Sequence, residues 1–367
     1  MNIYLLRAVG VLAGTIIGAG MFSLPYVFRQ VGMGVGIFYL VFFFAVYAVV
    51  HGMYAELICR EKGKHEFYAL AKKYLSFFAP AIVPLLFFEL FFTLVVYLTL
   101  APTFFGMMGG VSSYVAVLFF WLLASGFLFL RSSAFSWFEV FGVFGILFVV
   151  AFVFFSGLYA PARNIVSEPF SFPLLFLPLG PLLFAFAGRP AISRVLDIYL
   201  KATSLRRRFR LRSALFLGTL IPAVLYVVFV FGMLRFSPDV TEDAFSSLHF
   251  LPPLTLWFLG LLGIITILTS YVAIGINIRE IFSEDLRVPR FPSAFLVIGI
   301  PLFLYLVGFN AFFRVISITG GLFLALEGSL IVFMWLRAFP RHAYRWAGIP
   351  LFLVFGASFL YQIYSLF

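Results

Sequence analysis

The sequence predicts an all-α polytopic membrane protein, built from two five-helix halves and an eleventh helix. Three observations carry that expectation. Residues are 64% apolar and only 11% charged, a balance foreign to soluble domains. Apolar runs long enough to cross a bilayer recur from end to end. None alternates with a period of two, so they read as helices rather than barrel strands, because lipid offers no partner to an open backbone group.

Eleven runs follow in order: Tyr4–Phe28, Gly34–Cys59, Phe77–Phe105, Tyr114–Leu130, Phe135–Tyr159, Leu174–Tyr199, Leu215–Leu234, Leu251–Phe282, Ala294–Phe309, Phe312–Trp335 and Trp346–Phe367. They are numbered here as spans 1 to 11. Spans 1 to 5, within 1–160, and spans 6 to 10, within 174–336, are the expected halves, the second inverted relative to the first. Residues 345–367 form the peripheral eleventh helix.

A net charge of +11 invites a nucleic-acid reading, but the placement of the charges argues against it. With the N-terminus inside, alternate loops collect twenty of the 25 Lys and Arg on the inner side. Only Arg29, Arg163, Arg235 and Arg314 fall outside, and Arg189 lies within a span. This is the positive-inside pattern of a plasma membrane protein, and the run Arg206–Arg212 is a topology signal. An odd number of spans places the C-terminus outside. Cys59, the one cysteine, excludes an internal disulfide and reads as an inert buried thiol.

Span 1 resembles a signal peptide in its Arg7 and its small residues Gly18, Ala19 and Gly20, yet the apolar pattern resumes through Phe28. An interruption inside one span explains that better. Gly10, Gly14 and Gly18 share a helical face suited to close packing. Gly20 lies off that face and Pro25 follows, so an unwound stretch is expected over Gly18–Met21. Span 6 places Gly188, Arg189 and Pro190 consecutively, halfway along its run. Interruptions at corresponding positions of two halves mark an inverted-repeat transporter with its ligand at the repeat interface. Open helix ends there offer amides to a carboxylate and carbonyls to an ammonium group, which suits an amino acid.

The stretch Gly14-Thr-Ile-Ile-Gly-Ala-Gly-Met-Phe-Ser-Leu-Pro25, with Leu183-Phe-Ala-Phe-Ala-Gly188 and Leu268-Thr-Ser-Tyr-Val-Ala-Ile-Gly275, resembles the amino acid–polyamine–organocation superfamily, especially its aromatic and hydrophobic amino acid permeases. The resemblance implies the leucine-transporter-type fold. It implies that Gly18, Ala19, Gly20 and Met21 meet the substrate's backbone groups, with Phe184, Phe186, Ala187 and Gly188 as the facing wall. It also implies a sodium site formed by Gly14 and Ile17 with Thr269 and Ser270, against the alternative that these hydroxyls bond back to the preceding helical turn. Arg189 departs from the family pattern, which has a small or weakly polar residue there.

A charge at that depth requires a partner, and Glu89 in span 3 and Glu327 in span 10 are the acidic residues deep in spans. Arg189 therefore reads either as a structural ion pair or as a substrate or gating residue. Arginine keeps its proton, so Glu89 or Glu327 is the expected carrier if protons drive transport. His51, Glu56 and Glu139 lie nearer the inner ends and read as interfacial or structural. The 54 phenylalanines say nothing about substrate, since phenylalanine is an ordinary lipid-facing residue. Gly320-Gly321 reads as close packing or a loosened gate.

The expected function is secondary active transport of a neutral or aromatic amino acid by alternating access, driven by sodium or protons. The alternative is a nutrient or germinant receptor on the permease fold. No nucleotide-binding, metal-ligand or hydrolase motif supports an enzyme or a pump. The expected partners are an amino acid and the bilayer, with no nucleic acid and no cofactor beyond a sodium ion.

Overall fold

The computed structural model describes residues 3–61, 67–76, 79–128, 132–160, 172–204, 209–237, 239–282, 289–341 and 345–366. For residues 79, 83, 132–141, 280, 290 and 291 it describes the backbone alone. The side chain of Glu139 and the loop charges Lys62, Lys64, Arg131, Arg163, Arg206, Arg207, Arg208 and Arg287 thus lie outside the described residues.

All eleven apolar runs become helical. Among the described residues, eight helices are long and apolar enough to cross a membrane, and a pair bent by 50° makes a ninth. Ser113–Phe127 and Pro292–Leu306 are shorter apolar helices. They correspond to runs four and nine.

Span 1 consists of α1 (Ile3–Ile16), a 3₁₀ turn (Ala19–Ser23) and α2 (Leu24–Val31). Spans 2 to 5 are α3 (Met33–Arg60), α5 (Ala79–Gly109), α6 (Ser113–Phe127) and α7 (Ser132–Tyr159), with the short α4 (Phe67–Tyr74) between α3 and α5. Span 6 is divided into α8 (Leu179–Ala185) and α9 (Arg189–Ser204). Spans 7 to 9 are α10 (Leu211–Phe236), α11 (Pro253–Glu280) and α12 (Arg290–Leu306). Span 10 joins α13 (Phe312–Ile318) to α14 (Ala325–Ala338) through a π-helical stretch, and α15 (Gly348–Tyr364) closes the chain.

Both prolines that signal an interruption sit just past it. Pro25 occupies the first turn of α2 and Pro190 that of α9, where no helical amide is needed. The interruption in span 1 is tighter than the unwound Gly18–Met21 expected. The Ile17 amide still bonds to the Ala13 carbonyl (2.9 Å), and the Met21 amide closes the 3₁₀ turn on Gly18 (3.3 Å). Gly18 itself lies in extended backbone, at φ −153° and ψ −156°.

Two groups of helices position the site. The first half of span 1, α1, packs on α9 and α10, the second half, α2, packs on α10 and α3, and α3 packs on α9 and α10 as well. Against these, α11 lies along α5 and α7. Gly320 and Gly321 are packing glycines, the first against the Gly180 carbonyl and the second 2.8 Å (from its added Cβ) from Gln362 of α15. They lie within the π-helical stretch.

The basic helix ends meet on one face. Arg212 pairs with Glu56 at 3.0 Å, Arg279 donates to the Leu128 carbonyl at 2.6 Å and Arg337 donates to the Tyr74 carbonyl at 2.7 Å. Arg29 pairs with Asp239 between the opposite ends of α2 and α10, at 3.1 Å. Cys59 is exposed rather than buried, because it faces outward on the last turn of α3.

Candidate functional site

The two interruptions touch. A Cβ added to Gly20 would stand 2.6 Å from the Ala185 Cα, so only a glycine lets the 3₁₀ turn lie on the end of α8.

An interrupted helix leaves carbonyls that the next turn would have taken, and buried tyrosines take several of them. Tyr226 of α10 places its hydroxyl 2.9 Å from the Ile16 carbonyl and 2.7 Å from the Ala185 carbonyl. One O–H thus serves the last turn of α1 and that of α8 together. Tyr47 of α3 donates to the Leu183 carbonyl at 2.7 Å, which is free because the Ala187 amide turns back to Phe184 instead.

In front of the interruptions lies a cavity of about 630 Å³, within the ~300–1,000 Å³ range of small-molecule sites. Gly18, Ala19, Gly20, Phe184 and Ala187 line it. From there it runs along α1 and α9 to Arg7, Arg194 and Lys201, and so opens on the basic face.

Four expected wall residues do not line it. Met21 is fully buried. Phe186 turns to the opposite side of span 6, with its ring 6.1 Å from that of Tyr47 and 5.5 Å from that of Tyr226. Gly188 packs against Ile16 and His51. The guanidinium of Arg189 leads away to two carboxylates. The physical reason is common to all four: a helix interrupted for only a few residues still turns successive side chains to different sides.

Arg189 contacts Glu327 through Nε and lies 3.6 Å from Glu89, with the three side chains 5–12% exposed. Phe67 of α4 covers the guanidinium, its ring centre 5.0 Å away. The expected pair is therefore a triad joining spans 3, 6 and 10. Of its two acids Glu89 lines the cavity, while Glu327 sits behind Arg189.

Gly14, Ile17, Thr269 and Ser270 all line the cavity. The Thr269 hydroxyl donates to the Thr266 carbonyl at 2.9 Å and presses on Gly142 of α7. Ser270 lines the same cavity as Tyr97.

Tyr97 was not singled out by sequence, although its hydroxyl lies 3.5 Å from where a Gly18 side chain would begin. The signal was available: Glu89, Thr93 and Tyr97 recur at four-residue spacing and all line the cavity. Tyr47 and His51 on α3 repeat that spacing, facing the back of span 6.

No curated protein matches this chain. The family model described as the tryptophan/tyrosine permease family matches residues 1–355, from the start of α1 into α15. A ligand-sized cavity at two touching helix interruptions, in a chain of membrane-length helices, agrees with that match: the protein belongs to the tryptophan/tyrosine permease family.

Proposed function

We propose that this permease is a proton-coupled secondary transporter of aromatic amino acids, working by alternating access in the plasma membrane. The observation that carries the reading is the cavity reaching both interruptions from the basic face. By the positive-inside rule that face is cytoplasmic, so the conformation is inward-open, with the N-terminus inside and the C-terminus outside.

The substrate carboxylate lies at Gly18–Gly20 beside the Tyr97 hydroxyl, where backbone amides are freed. Carbonyls at the end of α1 take its ammonium group, and the ring rests on Phe184 and Leu90, both on the cavity wall. Matching interruptions in spans 1 and 6 support a leucine-transporter-type inverted repeat of spans 1 to 5 and 6 to 10. Spans 1 and 6 then rock against spans 3 and 8.

Charge counting favours protons over sodium. Two carboxylates and one guanidinium carry a net negative charge when all are ionised, and burial makes that costly. A single proton neutralises the cluster. Glu89 is the carrier, since it lines the cavity and Glu327 does not. The Thr269 hydroxyl donates to the Thr266 carbonyl, the bond to the preceding turn that an intramembrane threonine makes without any ion.

Uptake of labelled tryptophan, tyrosine and phenylalanine into proteoliposomes tests this. Accumulation is expected under an inward proton gradient and not under a sodium gradient alone. Binding without accumulation under either gradient would assign a receptor instead.

A further inference from the structure

His51 of α3 is 2% exposed, with its ring between the interrupted span 6 and α10. Its Nδ1 lies 3.1 Å from the Thr219 hydroxyl oxygen. That hydroxyl also lies 2.9 Å from the Leu215 carbonyl. With its proton given to that carbonyl it accepts from Nδ1, and in this tautomer the imidazole presents its lone pair at Nε2. Nε2 is buried and has no hydrogen-bond partner among the described residues. It faces the interruption, 3.1 Å from where a side chain at Gly188 would begin.

A buried acceptor without a donor is unfavourable, and donors are adjacent. The first amides of α9 have no carbonyl one turn behind them. Pro190 brings no N–H, and the Ala191 amide turns back to the Gly188 carbonyl at 3.1 Å. The amides of Gly188 and Arg189 are left.

One turn earlier on α3, Tyr47 supplies a donor to the carbonyl end of α8. The same helix face thus offers a donor to one side of the interruption and an acceptor to the other, matching the polarity of the two half-helices.

We propose that His51 is a positioning residue of the span 6 hinge. Its Nε2 accepts the Gly188 or Arg189 amide as the hinge flexes, and so sets the pose of α9 during transport. This role rests on the transport reading above.

The test compares His51→Gln, His51→Asn and His51→Phe for tryptophan uptake in proteoliposomes and for tryptophan binding in detergent. Glutamine carries an acceptor to about the reach of Nε2, whereas asparagine reaches only as far as Nδ1. His51→Gln is expected to keep most of the maximal rate. The Asn and Phe variants should lose about tenfold or more in rate, about 1.4 kcal/mol in barrier, with the dissociation constant nearly unchanged. Thr219→Val, which frees the tautomer, should slow the wild-type background and leave His51→Gln unaffected. It also serves as the test should the Asn and Phe variants fail to fold. Equal rates for Asn and Gln, or a silent Phe or Thr219→Val variant, would overturn the role of His51 alone. Absence of uptake by the wild type would overturn the transport reading and this role with it.

Discussion

Gly20 and Ala185 meet backbone to backbone, so closely that a methyl group on Gly20 would stand 2.6 Å from the Ala185 Cα. Neither partner is the flexible end of a side chain, and relief requires the two interrupted spans to separate. Gly20→Ala is expected to cost ~1–3 kcal/mol, as overpacking does, and to abolish most uptake. Gly18→Ala makes the contrast. Its added Cβ meets the Tyr97 hydroxyl at an ordinary 3.5 Å, and its extended backbone suits any residue. That variant should melt near the wild-type temperature and raise KM. Thermal unfolding in detergent beside uptake kinetics separates the two.

Tyr226→Phe removes the one donor shared by the Ile16 and Ala185 carbonyls. Buried acceptors left open cost ~1–3 kcal/mol each. A fall in melting temperature is expected, larger than for Tyr271→Phe, whose buried hydroxyl has no hydrogen-bond partner among the described residues. Equal melting of the two variants would contradict the bridging role.

The triad predicts an order of stabilities. Arg189→Gln leaves Glu89 and Glu327 buried without a counter-charge, a loss of ~3–5 kcal/mol by comparison with other broken buried pairs. Glu327→Gln removes the closer partner and should follow. Glu89→Gln leaves Arg189 with Glu327 and should melt highest of the three. It should also exchange labelled for unlabelled tryptophan while failing to accumulate it under a proton gradient. A Glu327→Gln variant with that transport phenotype, and a normal Glu89→Gln, would reverse the two assignments.

Tyr97→Phe tests the carboxylate end of the cavity. A hydrogen bond to a charged group contributes ~1.5–3 kcal/mol, so tryptophan affinity should fall roughly 10- to 100-fold. Ser270→Ala, which removes another hydroxyl from the cavity wall, should have a smaller effect in the same direction. Equilibrium binding by the purified protein checks both.

Local features are legible in the amino-acid sequence. Apolar runs mark the helices, Gly18 to Pro25 and Gly188 to Pro190 mark the two interruptions, and Arg189 announces a buried acidic partner, because each follows from chain stiffness or desolvation at its own position. The site is legible in part. Gly18, Ala19, Gly20, Phe184 and Ala187 line the cavity, while the inclusion of Phe186 and the omission of Tyr97 and Tyr226 have one physical cause. Lipid is as apolar as the protein interior, so a span such as α5 or α10 has no polar face to say which side turns inward.

By itself the sequence determined that this chain crosses a membrane through helices and that two of them are interrupted. Those properties depend on composition and backbone chemistry along the chain. Only the tertiary structure decided that Glu89 and Glu327 share Arg189, that one tyrosine hydroxyl serves both interruptions, and that His51 faces Gly188. Such pairings depend on how each helix is rotated about its axis, which is set by the packing of small residues and buried polar groups against neighbours far away in the chain.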